Sequence, residues 1–232
     1  MDKVNTLASK LRLLGEEAEI LENDSVIVHK NPFEMVGYKI VNDNVIRCEY
    51  EIECMLRNST RFICAKKDNN YYLLDRHLNP KLKFSGEQPM RLINNYFLVM
   101  FSKQFNSGRI IGLDGKEASG GLCAGIDSRR VNDNTIVCTS TYKNYREVVM
   151  CSYIKGTTKR KVIHTVDIAD QVYPGLESIA IRYKQKDKVI IYDYDSNVML
   201  SIPGGRVKQE VDRYILYDKS GKKFREIYQC RI

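Results

Sequence analysis

Few residues of this 232-residue chain have the types and spacing that catalysis requires. Its three histidines, His29, His77 and His164, are far apart in the sequence. The motifs G-x-S-x-G, H-E-x-x-H and G-x-x-x-x-G-K-[ST] are all absent. His164 alternates with Val162 on a predicted strand and His77 lies in a predicted loop, so we interpret both as structural or solvated. The sequence predicts no catalytic residue, and a hydrolase or lyase site assembled from distant Asp and His residues remains the alternative.

One carboxylate cluster has the spacing of a calcium loop. Asp193, Asp195 and Asn197 are two residues apart, as in the first half of an EF-hand loop. That loop also needs Gly at its sixth position and Glu at its twelfth, where this chain has Val198 and Gly204. A hairpin turn explains the cluster, and the sequence predicts neither a metal nor a cofactor.

The cysteines do not form a metal or disulfide pattern. The chain has seven of them, an odd number, and no C-x-x-C pair. Several lie in apolar runs, so we expect small buried thiols in a reducing compartment. The N-terminus lacks a signal-peptide pattern and no apolar run is long enough to span a membrane. These features predict a cytoplasmic protein, with a virion component as the alternative.

Basic residues are concentrated in three segments near predicted turns. Lys and Arg number 37 against 29 Asp and Glu, which gives a formal charge of +8. If the turns share one rim of the fold, their side chains form a basic patch that could bind nucleic acid. The simpler interpretation is that lysine-rich turns are merely solvated. The candidate patch residues are Lys159, Arg160, Lys161, Lys184, Lys186, Lys222 and Lys223.

The chain repeats a turn-plus-strand pattern that determines the predicted fold. "VNDNVIRC" at Val41–Cys48 nearly recurs as "VNDNTIVC" at Val131–Cys138. Asn and Asp favour tight turns, and the β-branched and aromatic runs that follow favour strands. Similar units, 35 to 45 residues apart, start near residues 21, 56, 93, 131, 176 and 211.

That period is typical of β-propeller blades. The sequence predicts an all-β, propeller-like ring of six blades, or alternatively five, each with three to four antiparallel strands, over residues 17–232. The last unit is short, so Glu17–Glu22 is expected to complete the last sheet. A long β-meander or a two-sheet sandwich is the structural alternative. The chain has no Trp, which excludes the Trp-Asp repeat signature, and Gly-Gly pairs occur only twice, so no known family is recognised.

A single amphipathic helix is predicted over residues 1–16. Val4, Leu7, Leu11 and Leu14 form one apolar stripe, and Gly15 supplies a stop signal. The stripe could pack on the flank of the β-domain or bind a partner protein.

The absence of a catalytic motif and the rigid repeat together favour a non-enzymatic function. We expect a protein–protein interaction or scaffold module, such as a structural component of a virion or a secretion machine. A nucleic-acid-binding protein that uses the basic loops is the first alternative, and the axial-channel enzyme is the second. The sequence assigns no oligomeric state.

Overall fold

The computed structural model describes residues 5–9, 17–31, 34–42, 44–56, 59–102, 107–120 and 128–229. Residues 5–9 form a short helix, and 22 β-strands account for most of the remainder. The predicted all-β class is therefore confirmed. Of the predicted apolar stripe, only Leu7 falls within the described helix, since Val4, Leu11 and Leu14 lie outside the described residues.

The first eight strands form one sheet in the order β1-β2-β3-β5-β6-β7-β8, with β4 also paired to β3. Their bounds are β1 Glu17–Glu22, β2 Ser25–Asn31, β3 Glu34–Val41, β4 Asn44–Arg47, β5 Glu51–Met55, β6 Phe62–Lys67, β7 Asn70–Asp75 and β8 Pro80–Ser85. Strands β3 and β5 are joined by a single residue pair, Met35 with Ile52. The sheet thus consists of two four-stranded meanders that meet at one point.

The later strands form four further antiparallel sheets, ordered β11-β10-β9, β12-β13-β14-β15, β16-β17-β18-β19 and β20-β21-β22. The first two sheets contain β9 Gln88–Leu92, β10 Phe97–Ser102, β11 Ser107–Gly112, β12 Ser128–Asn132, β13 Thr135–Thr141, β14 Tyr145–Ile154 and β15 Thr157–Asp167. The other two contain β16 Gln171–Pro174, β17 Ser178–Tyr183, β18 Lys188–Asp193, β19 Val198–Pro203, β20 Arg206–Gln209, β21 Arg213–Tyr217 and β22 Lys223–Tyr228.

Most of the strand-like runs in the sequence are inner strands of these sheets. "SVIVHK" corresponds to β2, "TIVCTST" to β13 and "RYILYD" to β21, and each has a short, more polar strand before it. Inner strands bury both faces, which explains their continuous apolar composition. Asp68 and Asn69, with φ of 50° and 62°, form the two-residue turn between β6 and β7, as Asn and Asp residues are expected to do.

The N-terminal strand does not pair as predicted. Glu17–Glu22 forms β1, which runs antiparallel to β2 with Ala18 opposite Val28. The last sheet contains only β20, β21 and β22. The prediction that this segment completes the last sheet is therefore wrong. Its composition is that of a strand, but the two-residue turn at Asn23 and Asp24 directs it back onto β2.

The chain divides into two compact units, each with its own apolar core. The first comprises Met1–Leu92 with Met100–Phe105. In this unit one cluster lies between the two four-stranded meanders and includes Ile27, Ile52 and Ile63. A second cluster covers the other face of the first meander, where Leu7 and Ala8 of the helix pack against Ala18, Val26 and Val28.

The second unit comprises Ile93–Val99 with Asn106–Ile232. Its cores lie between successive sheets. Phe97 and Ile110 pack against Ile136 and Val149, and further along Val148 and Val166 pack against Ile179 and Ile181. Ile191 then packs against Tyr214 and Leu216 of the last sheet. Each sheet from β12 to β19 therefore buries both of its faces.

Candidate interaction surface

The turns of the three sheets β12 to β22 fall into two sets. In an antiparallel meander, successive turns lie at opposite ends of the sheet. The turns β13–β14, β17–β18 and β21–β22, with the connections β15–β16 and β19–β20, belong to one set, whose surface we call the basic end. The turns β12–β13, β14–β15, β16–β17, β18–β19 and β20–β21 belong to the other set, which we call the acidic end.

Contacts between neighbouring turns make the basic end continuous from the third sheet, β12 to β15, to the fourth, β16 to β19. The amide N–H of Ile168, in the β15–β16 connection, donates to the Asn144 carbonyl over 3.3 Å. Further along the same connection, Asp170 accepts the amide N–H of Lys184 at 2.9 Å. Arg146 donates to the carbonyl of Asp170 over 2.6 Å. The β13–β14 turn is thereby tied to the β17–β18 turn.

Gly204 continues the basic end from the fourth sheet to the last. Its amide donates to the Asp187 carbonyl at 2.6 Å, and its φ is +63°. A Cβ at this position would lie 3.0 Å from Lys219, so the β21–β22 turn packs directly on Gly204. The three turns and two connections form one surface within the second unit.

Exposed cations line this surface. All six side chains belong to exposed residues, and no carboxylate lies within ion-pair distance of any of them among the residues that the structure describes. They are Lys143, Lys184, Lys186, Arg206, Lys219 and Lys222, which we call the basic rim.

The carboxylates at the basic end bond mainly to the backbone of their own turns. Asp167 accepts the amide N–H of Ala169 at 2.8 Å. Asp218 accepts the amide N–H of Lys222 at 3.0 Å and the Ser220 hydroxyl, and these bonds hold the pKa of Asp218 below its usual value. The acids therefore shape the turns instead of pairing with the rim lysines, and the Nζ of Lys186 lies 5.3 Å from the centre of the Tyr183 ring.

The acidic end differs in charge and in bonding. Its turns carry Asp133, Glu177, Asp195, Glu210 and Asp212. Glu210 accepts ion pairs from Lys208 and Arg213, which lower its pKa, and Asp133 pairs with Arg130. The cations Arg130, Lys208 and Arg213 at this end are thus already paired.

Buried polar side chains tie the acidic end together. Gln229 is 5% exposed; its Oε1 accepts the amide N–H of Glu177 at 2.9 Å, and its Nε2 donates to Ser178 Oγ at 3.0 Å. Tyr214, fully buried, lies with its hydroxyl 2.8 Å from the carbonyls of Tyr173 and Ser178.

The structure separates the predicted basic residues. Lys184, Lys186 and Lys222 belong to the basic rim, and Lys223 lies beside it, paired with Glu226. Lys159, Arg160 and Lys161 lie in the half of β15 next to the β14–β15 turn, which belongs to the acidic end. Arg160 is held by Glu147 at 2.5 Å, on the strand face opposite that of Lys159 and Lys161.

Sequence reasoning missed Lys143 and Arg206 as rim residues. Each has a single basic residue within three positions, Arg146 and Lys208 respectively, so neither belongs to a dense basic segment and local charge density gave no signal. The available signal was positional, because Lys143 follows β13 as Lys184 follows β17.

Two of the histidines have specific environments. His164 is half-buried against the Tyr192 ring, with centroids 4.2 Å apart, and burial lowers its pKa. His77 pairs with Asp24 over 2.7 Å, which raises the pKa of His77. The Tyr192 hydroxyl lies 3.0 Å from the Tyr183 hydroxyl, and the partner of His77 is a carboxylate.

A cleft of about 500 Å³ lies in the first unit, where β4 and β5 diverge from β3. Its charged lining residues are Glu34, Arg47, Glu49, Glu51 and Glu53. Glu49 is paired with Lys67 at 2.5 Å, and this contact lowers the pKa of Glu49.

The described residues contain no group of three His, Cys, Asp or Glu side chains placed to hold a metal ion. They also contain no helix with the length and apolar character that crossing a membrane requires.

Comparisons with known proteins show structural similarity only. No family model and no curated protein matches the chain. It is similar to Hsv2 of Kluyveromyces lactis, with 11% identity over 86% of this chain and 69% of the other and a TM-score of 0.36. It is also similar to the WD40 β-propeller domain of Doa1, with 11% identity over 91% of this chain and 81% of the other and a TM-score of 0.31. The WD40 domain of SCAP from fission yeast has 7% identity over 88% of this chain and 53% of the other, with a TM-score of 0.22. The function is therefore argued from the residues of this chain.

Proposed function

We propose that this protein is a non-enzymatic interaction module whose basic rim binds an acidic surface of a partner protein. The observation that carries the proposal is the continuous row of exposed cations without carboxylate partners on one end of three packed sheets. Unpaired surface charges of one sign attract a complementary partner and orient it during encounter.

The composition of the basic end favours a protein over a nucleic acid. Asp167 and Asp187 are exposed among the rim cations, so the local charge alternates in sign. A phosphate backbone presents negative charge at every step and would meet these carboxylates unfavourably. A protein surface can match both signs. Tyr142 and Tyr145, stacked with centroids 4.6 Å apart beside Lys143, add a rigid aromatic contact of a kind common in protein interfaces.

The scaffold is proposed to be a six-bladed propeller-like ring over residues 17–232, with its units starting near residues 21, 56, 93, 131, 176 and 211. The two meanders of the first sheet and the four later sheets make six successive antiparallel meanders of three or four strands, which support this proposal. A propeller presents its turns on two opposite rims, which suits a module that binds through one of them. The N-terminal stripe is proposed as part of the scaffold, because Leu7 and Ala8 pack on the first meander. The proposed location is the cytoplasm or an assembling virion.

Binding to two labelled probes tests the proposal. Fluorescence anisotropy of a Glu/Asp-rich peptide and of a DNA duplex is followed as full-length protein is added, at low salt and then at rising salt. We expect Lys184→Glu with Lys186→Glu to weaken peptide binding about tenfold or more, since each reversal places like charges together. The matched control is Lys159→Glu with Lys161→Glu, which changes the net charge equally on exposed residues outside the rim.

Three results would contradict the proposal. The first is that the wild-type protein binds neither probe at low salt. The second is that the two double variants weaken binding equally, which would indicate a response to net charge alone. The third is that the duplex binds more tightly than the peptide and that only the rim variant abolishes duplex binding, which would support the nucleic-acid alternative.

A further inference from the structure

Two cysteine thiols face each other across strands β5 and β6 in the first unit. Cys54 and Cys64 are direct partners in the antiparallel register. Directly opposite residues in such a pair have Cα atoms about 4.5 to 5.5 Å apart, within the usual range for a disulfide. The backbone already places the two residues at a bridging distance.

A β-bulge creates this juxtaposition. Ile52 pairs with Ala65, but the next pair is Cys54 with Cys64, so Glu53 is an extra residue in β5. In a regular strand without the bulge, Glu53 would lie opposite Cys64, and Cys54 would point to the same face as Ile52, since side chains alternate along a strand. The bulge turns Cys54 to the opposite face, where Cys64 lies. Bulges commonly redirect a side chain at a functional position.

The two thiols differ in access. Cys64 is fully buried, whereas Cys54 is half-buried. The two thiols are hydrogen-bonded, and this contact and the burial raise the pKa of Cys64. An external reagent therefore reaches Cys54 first, and Cys64 is positioned to respond from inside.

We propose that Cys54 and Cys64 form a redox-active modification site that is oxidised to an intramolecular disulfide by a small disulfide of the glutathione class. Cys54 is the attacking thiol and Cys64 the resolving thiol.

The exchange balances in two steps. The Cys54 thiol loses its proton and attacks one sulfur of glutathione disulfide, which forms a mixed disulfide and releases one glutathione thiolate. Cys64 then loses its proton and attacks the Cys54 sulfur, which forms the Cys54–Cys64 bond and releases the second glutathione thiolate. The two protein thiols are oxidised, glutathione disulfide is reduced, and the two protons protonate the released thiolates.

A second cysteine pair in the chain provides an internal contrast. Cys138 on β13 and Cys151 on β14 are buried in the same cluster, on one face of neighbouring strands. Cys138 pairs with Val149 and Cys151 pairs with Ile136, so the two cysteines are diagonal neighbours. Diagonal Cα atoms are about 7 to 8 Å apart, beyond the bridging range. The same chemistry is therefore expected at the first pair and not at the second.

The test is equilibration of the full-length, reduced protein with glutathione disulfide, followed by acid quenching, alkylation under denaturing conditions and mass spectrometry. We expect two of the seven thiols to escape alkylation without a glutathione adduct, and peptide mapping to identify a Cys54–Cys64 link. The Cys64→Ser variant should instead retain a glutathione adduct on Cys54, because the resolving thiol is missing. The Cys138→Ser variant should behave as the wild type.

The wild-type protein alone decides the proposal, so the test remains valid even where a variant fails to fold. Retention of all seven thiols under excess glutathione disulfide would overturn it, as would a link that maps to another pair of cysteines. An adduct on Cys54 that persists in the wild type would also overturn it, since it would show that Cys64 cannot resolve the mixed disulfide.

Discussion

The two ends of the sheets β12 to β22 are built from the same kinds of turns but differ in the bonds that their side chains make. At the basic end, carboxylates accept backbone N–H groups, and six exposed cations have no carboxylate partner within the described part of the chain. At the acidic end, Asp133 and Glu210 form ion pairs, and Gln229 and Tyr214 bond the turns from within. Both ends therefore tie neighbouring sheets together, but only the basic end also leaves a row of cations available for binding.

The difference shows that charge density alone does not identify an interaction surface. Arg160 and Lys161 are even closer in sequence than Lys184 and Lys186, yet Arg160 is paired with Glu147. A cation contributes to recognition when the fold leaves it without an internal partner. Substitutions at the two ends should therefore separate stability from binding.

The largest stability effect is expected at Gln229. Replacement by Ala leaves the amide N–H of Glu177 and the hydroxyl of Ser178 without their partner, and one unsatisfied buried group costs about 1–3 kcal/mol. Urea denaturation should show a free energy of unfolding that is lower by that amount in Gln229→Ala, with a correspondingly lower midpoint. Lys222→Ala at the basic end is the control. Equal stability of the two variants would remove the distinction between the ends.

Replacement of Gly204 by Ala should have the next largest effect on stability. Its φ of +63° costs a non-glycine residue about 1–2 kcal/mol, and an added Cβ would also displace Lys219. Gly156 has φ of +76° with open space around it, so Gly156→Ala isolates the backbone cost. We expect Gly204→Ala to be the less stable of the two in thermal denaturation and to weaken peptide binding. If the two variants melt alike, Lys219 is not packed against Gly204.

His164, which lies in neither set of turns, should make the free energy of unfolding depend on pH. Burial lowers its folded-state pKa, so the unfolded chain binds the proton more readily as pH falls below the ordinary histidine value near 6.5. The stability that neutral His164 provides is present above that pH and is lost as pH falls toward the folded-state pKa. Urea midpoints at a series of pH values should show a shallower acid decline in His164→Gln. An unchanged slope would show that His164 is not responsible.

The smallest stability effect is expected in the basic rim. Lys184 and Lys222 make no ion pair within the described part of the chain, so their Ala variants should stay within about 0.5 kcal/mol of the wild type. The same variants should weaken binding of the acidic peptide. A large loss of stability would mean that these lysines support the fold.

Much of the fold could be predicted because inner strands have a strong signature. The runs of β2, β13 and β21 are β-branched and aromatic because both of their faces are buried. The short strands β12 and β20 escaped notice, because edge strands such as "SRRVN" and "RVKQ" are polar and take their conformation from the neighbour they pair with. The partner of β1 was mispredicted for a related reason, since composition indicates a strand without specifying its neighbour.

The basic rim was only partly accessible from the sequence. Lys184, Lys186 and Lys222 were found through local clustering. Which turns share an end depends on counting every strand, including the polar ones, so Lys159 and Lys161 were grouped with them. The thiol pair of Cys54 and Cys64 depends on the bulge at Glu53, which has no signature in the composition.

The single pair of Met35 and Ile52 that joins the first two meanders has a consequence for dynamics. Because strand pairing contributes little at this point, the two meanders are held together mainly by the apolar cluster of Ile27, Ile52 and Ile63 and by side-chain bonds such as that from Arg76 to the Leu21 carbonyl. Amide exchange in the first four strands is therefore expected to follow the integrity of that shared core and not the strand ladder.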